Sequence, residues 1–268
     1  MRSKTLLLLL VGFLVNLSAF PVIAQNEEPK GQLWSIYQES VKPDMAKDYE
    51  ALTREWIAQL TELKMTSPYF NFTTIQGEDF TYSFAIQIEN FAALDGMQKA
   101  WMEFEQKIDK EKFQEMMQRG SACTQSINQW LAMEMPNISY APATPRLKPE
   151  EIQFYHYDFF YVKPGKNMEF HEISKQWLEL YKSKSATEGW TMYQAMMVPD
   201  QPLYIVASGA KNAVDFYTAL DKTNELLGKE NVDSLWSKTM ALVRKFEHKN
   251  STIRPDLSYH SEPEMTAK

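Results

Sequence analysis

Residues 154–170 read FYHYDFFYVKPGKNMEF. Apart from His156 and Asp158, the first nine are aromatic or β-branched, the composition of a pleated and largely buried strand. Lys163-Pro164-Gly165 then turns the chain, because proline fixes φ and glycine accepts positive φ. After the turn, Phe170, Ile173, Trp177 and Leu180 recur at steps of three and four, which puts them on one face of a helix. Side chains alternate along a strand. Phe154, His156, Asp158 and Phe160 therefore share one face, and Tyr155, Tyr157, Phe159 and Tyr161 share the other.

The turn recurs. VKPDMAKDYEALTREW starts at Val41 and VKPGKNMEFHEISKQW at Val162, 121 positions later. At that offset Pro43 meets Pro164, Tyr49 meets Phe170 and Trp56 meets Trp177. A second landmark closes each unit: PNISY at 136–140 and PDLSY at 255–259, 119 positions apart. Two landmarks in the same order predict a tandem duplication. The units are 32–140 and 152–259. A connector at 141–151 contains Pro142, Pro145 and Pro149, and spaced prolines make it extended and stiff.

Both units have the same order of elements. A strand (33–41, 154–162) leads through the proline turn into an amphipathic helix, which in the first unit carries Tyr49, Leu52, Trp56, Leu60 and Leu63. Two strands follow as a hairpin (70–75 with 80–88, 190–198 with 203–208) around Gly- or Pro-containing turns. A second helical region (91–108, 213–227), a shorter helix (110–119, 229–240) and a final strand complete the unit. The order is β-α-β-β-α-β, so the fold class is α+β, with two ferredoxin-like units.

This pattern of aromatic strand, VKPGK turn, helix, hairpin, helix and strand resembles the dimeric α/β-barrel superfamily, whose members include NIPSNAP-like, EthD-like and antibiotic-biosynthesis-monooxygenase-like proteins. The match is closest at FYHYDFFYVKPGKNMEFHEI. The first unit has Asp44 where the turn usually has glycine. The resemblance implies two sheets closing a barrel with helices outside. Duplication would let one chain supply both sheets, making the barrel intramolecular. In haem-degrading relatives a pocket asparagine stands seven residues before the turn glycine, a position held here by Asp158. The resemblance therefore implies that Asp158 points into the barrel with His156 beside it. Those relatives also carry a histidine on the second helical region, and 91–119 and 213–240 contain none.

The first 25 residues, MRSKTLLLLLVGFLVNLSAFPVIAQ, combine a basic start, a short apolar run and small residues near Ala24. That is the pattern of a secretory signal peptide cut near Ala24, and predicts a secreted or periplasmic protein. Removing 1–24 takes away Arg2 and Lys4 and no acid, so the net charge of −7 becomes −9. An acidic chain without a basic run is a poor partner for nucleic acid or an anionic membrane. Cys123, the only cysteine, cannot form an internal disulfide and reads as a small buried residue on a strand. Residues 25–31 and 260–268 are polar and read as mobile ends. The chain is expected to be a monomer or weak homodimer.

On the strand face implied to point inward, the first unit carries Tyr37 and Glu39, so Tyr37, Glu39, His156 and Asp158 form a candidate polar set. Trp190 and Met192 add an apolar wall on the hairpin. An imidazole beside a carboxylate can serve as a base. The alternative is that His156 and Asp158 merely satisfy each other. His171 reads as a solvated helix flank, and His248 as a residue near the last strand. No metal-ligand spacing or nucleotide motif is present, so neither metal nor cofactor is expected. Three functions remain open: binding of a small apolar or aromatic ligand in the barrel, a cofactor-independent monooxygenase or isomerase using His156 and Asp158, and a sealed scaffold with a protein-binding surface.

Overall fold

The computed structural model describes residues 31–261. The signal-peptide region lies outside them, as does most of the expected mobile tail; residues 260–261 are described, and Ser261 donates its backbone N–H to Asn71 Oδ1 at 2.8 Å.

The first repeat contains β1 (Leu33–Val41), α1 (Ala46–Glu62), β2 (Phe72–Gly77), β3 (Thr81–Ile88), α2 (Ala93–Lys107), α3 (Lys110–Cys123) and β4 (Thr124–Glu134). The second contains β5 (Phe154–Val162), α4 (Asn167–Ser183), β6 (Thr191–Met196), β7 (Leu203–Ala210), α5 (Ala213–Leu227), α6 (Lys229–Leu242) and β8 (Val243–Ile253). All eight strands form one closed antiparallel barrel in the order β1-β3-β2-β8-β5-β7-β6-β4.

Local chemistry explains the turns. Gly165 sits at φ +79°, which a side chain rarely adopts. The first repeat has Asp44 there and instead makes a 3-10 turn over Pro43–Met45, with no positive φ at Asp44. Asn212 caps α5 by accepting from the Asp215 N–H at 2.9 Å, and Asp109 caps α3 by accepting from the Lys112 N–H at 2.9 Å. Cys123 is buried, but as the last residue of α3 rather than on a strand.

The α1 stripe buries Tyr49, Leu52 and Leu60, and Trp56 packs against Trp101, Phe104 and Phe113. Each fully buried large apolar side chain contributes about 1.5–3 kcal/mol.

The halves interlock at two seams and two tails. At the seams, β4 pairs with β6 over residues 131–134, and β2 pairs with β8 over residues 251–253. Residues 124–130 of β4 and 243–249 of β8 thus have a strand on one side only. The PxxSY landmarks form 3-10 turns whose tyrosines bridge to the opposite repeat, Tyr140 to Trp190 and Tyr259 to Phe72. Leu257 of the second tail is fully buried among Val41, Tyr49, Tyr82 and Cys123 of the first repeat.

Candidate functional site

Strand alternation is as the sequence predicts, but the inward and outward faces are reversed. His156 stacks on Phe216 of α5, with ring centroids 4.4 Å apart. Phe160 packs on Phe170 of α4 and Trp236 of α6. Glu39 accepts from the hydroxyls of Tyr37 (3.4 Å) and of Tyr49 on α1. Met192 belongs to the cluster around Phe170 and Ile173, and Trp190 packs beside Tyr140 and Tyr181. Tyr37, Glu39, His156, Asp158, Trp190 and Met192 therefore lie on the helix side of the sheet, not in the lumen. The reason is physical: His156 and Asp158 find partners beneath the helices, whereas the all-aromatic face of β5 turns into the barrel.

The structure brings two of the six together in a second-repeat cluster. His156 is buried, with Nδ1 hydrogen-bonded to Asn250 Oδ1 (2.8 Å) and Nε2 to Asp158 Oδ1 (3.2 Å). The Asn250 amide is oriented by its contacts with Glu78 and Tyr217. His248, directly across from Asp158, also stacks on His156, with ring centroids 5.6 Å apart. Burial disfavours the imidazolium, but the hydrogen bonds to Asp158 and Asn250 outweigh it and raise the pKa above 6.5. With an oxygen partner at each nitrogen, the protonated ring is favoured and neither nitrogen is free for a substrate. Tyr37 and Glu39 lie in the other half, where burial raises the Glu39 pKa against the two phenol hydrogen bonds.

A raised histidine pKa makes its contribution to stability complete below about 6.5 and lost as pH climbs through the folded value. Asp158→Asn should move the His156 titration to lower pH, read from imidazole NMR shifts, and should cost about 1–2 kcal/mol. An unmoved titration would disprove the role of Asp158.

His171 is not a solvated flank. Its ring stands edge-on to Tyr204 at 5.5 Å and its Nε2 is buried without a partner. A surface cavity of about 170 Å³ lies beside the connector, where Arg146 forks onto Asp215 (2.8 and 3.0 Å) and pairs with Glu188.

The lumen was missed by sequence reasoning. Register places Tyr155, Tyr157, Phe159 and Tyr161 of β5 opposite Gly209, Ala207, Ile205 and Leu203 of β7. Tyr193 and Ala195 of β6 continue that face, and β4 adds Trp130, Ala132 and Glu134. Trp130, Tyr157, Phe159, Tyr161 and Tyr193 pack in one cluster with Ala195, Leu203 and Ile205. From the other repeat, Trp34, Ile36, Gln38 and Ser40 face the same space. At one end Ile152 packs against Gly209, where an added Cβ would lie 2.9 Å from Ile152 Cγ2. Tyr155 and Tyr157 stack at 5.7 Å, and their hydroxyls make no hydrogen bond with any described residue. Burial raises the pKa values of Tyr155, Tyr157 and Tyr193, so all three remain protonated donors. Trp34 Nε1 is also buried without a partner. A run of four aromatics on one strand face was the available signal.

The architecture is the dimeric α/β-barrel fold, built here by one chain from two β-α-β-β-α-β halves. An anthrone oxidase-like protein superposes with a TM-score of 0.52 at 12% identity, covering 83% of this chain and 91% of that one. A chlorite dismutase variant from Candidatus Nitrospira defluvii superposes with a TM-score of 0.50 at 8% identity, covering 84% and 92%. No family model and no curated protein matches the sequence.

A haem does not fit the His156 cluster. Neither α5 nor α6 carries a histidine or cysteine to ligate iron, and both His156 nitrogens are engaged.

Proposed function

We propose that the protein binds a small, largely apolar or aromatic ligand inside the barrel lumen, on the phenol-rich side formed by β5, β6 and β7. The carrying observation is the Trp34 indole N–H, buried without a partner, on the same lumen face as the half-buried Tyr155 and Tyr157, whose hydroxyls make no hydrogen bond with any described residue. A buried donor without a partner costs about 1–3 kcal/mol, which an acceptor-bearing ligand would recover. Apolar walls with a few convergent polar groups suit such a ligand. The leader-like first 24 residues support export of this binder.

The acid–base reading has less support, because His156 has an acceptor at each nitrogen. The test is native mass spectrometry of protein purified from its own source. Wild type should retain a small molecule. Ala207→Phe, which fills the lumen between Tyr157 and Thr191, should lose it. Ser83→Phe, from the facing sheet, serves as a second lumen block, and circular dichroism checks both folds. A molecule kept by both lumen variants but lost in His156→Ala would overturn the lumen in favour of the outer cluster.

A further inference from the structure

The two halves of the lumen are chemically unequal. Tyr155, Tyr157, Phe159 and Tyr161 correspond by repeat to Trp34, Ile36, Gln38 and Ser40, so the phenols gather on one side. Glu134 corresponds to Ile253, so this carboxylate has no counterpart in the other repeat. It stands directly across the β4–β6 seam from Tyr193, close enough for its charge to act on that phenol. Tyr193 and Tyr155 in turn influence Tyr157. Glu134 is half-buried, yet its side chain forms no hydrogen bond or salt bridge with any described residue. The lysines on the inward face of β8 are occupied elsewhere: Lys245 pairs with Glu247 at 3.2 Å and lies over the Tyr161 ring, and Lys249 pairs with Asp79 at 2.9 Å.

Aromatic faces carry negative potential, and a desolvated cation over such a face gains about 0.5–2 kcal/mol. A partly buried carboxylate without a counter-ion is costly until one arrives. Stacked phenols beside an unpaired carboxylate thus form a receptor for positive charge on an apolar body. We propose that the lumen selects organic cations, protonated or quaternary amines with an aromatic or aliphatic body, and that Glu134 is their counter-ion within the cage of Tyr155, Tyr157 and Tyr193. This rests on the lumen reading above and specifies the ligand class. The net charge of −7 adds a long-range field of the same sense.

The experiment titrates the purified full chain with phenyltrimethylammonium and with tert-butylbenzene, its neutral isostere, by calorimetry. The cation should bind about tenfold or more tighter, and Glu134→Gln should weaken the cation about tenfold while leaving the isostere unchanged. Tyr157→Phe, which keeps the ring, should retain the preference. Equal binding of both probes, no binding of the cation, or indifference to Glu134→Gln would each overturn the cation assignment. Ala207→Phe separates this from the wider reading. If it blocks whichever probe binds, the lumen remains the site and only the ligand class falls; if both probes bind undisturbed, the lumen reading falls as well.

Discussion

Leu257→Ala should lower the unfolding free energy by about 2–5 kcal/mol, the cost of emptying a fully buried leucine site. Leu257 belongs to the second repeat, but its neighbours Val41, Tyr49, Tyr82 and Cys123 all belong to the first. The loss should therefore be felt by both halves. Urea denaturation followed by tryptophan fluorescence and by far-ultraviolet circular dichroism should give one coincident transition, shifted as a whole. Ile138→Ala, in the matching tail, should behave alike, since Ile138 is fully buried against Phe160 and Phe170 of the second repeat. Two separate transitions, only one of them moved, would show that the halves fold independently.

Arg254→Ala should cost about 3 kcal/mol, in the range for removing one partner of a well-shielded ion pair. Arg254 donates to both Glu50 oxygens (2.7 and 2.8 Å), to both Asp256 oxygens (2.9 Å each) and to Gln76. Glu50 also accepts from Tyr82 at 3.0 Å, and Arg54 reaches Asp256 at 2.7 Å. The network ties the second repeat's tail to α1 of the first. Hydrogen bonds from Arg254 hold the Glu50 and Asp256 carboxyls below their usual values of 4.5 and 3.8. Depressed carboxylates contribute stability that is present above those values and lost as pH falls through the folded ones. Wild type should thus lose stability below about pH 4.5, and Arg254→Ala should flatten that loss as well as lower the plateau. Arg254→Lys should recover only part, because an ammonium cannot reproduce the bidentate fork. An unchanged acid limb in Arg254→Ala would refute the role of the network.

The duplication and the order of elements were legible because their signals are local: a proline turn seen twice, a PxxSY tail seen twice, and stripes at steps of three and four. Small departures followed their own logic, such as the 3-10 turn where Asp44 replaces glycine. The lumen was not legible. Alternation tells which side chains share a face of β5, but FYHYDFFYV is aromatic on both faces, so hydrophobicity could not decide which face turns inward. The deciding contacts, Phe216 on His156 and Trp236 on Phe160, come from helix residues 60 and 76 positions away in sequence. Glu134 was invisible for a related reason. Its importance arises from β4–β6 pairing, which joins strands of different repeats and leaves no local pattern.

The short seams leave one exposed backbone edge on each long strand, and the two edges are not equally guarded. Along β8 the exposed stretch carries Arg244, Lys245, Glu247 and Lys249, charges that resist stacking by a neighbouring molecule. Along β4 the corresponding stretch, TQSINQW, has no charge at all and presents Ile127 to water. Uncharged, Gln- and Asn-bearing edges are templates for intermolecular strand addition. If this molecule self-associates on storage or heating, the first contacts form along β4, and a lysine at position 127 is the simplest guard against them.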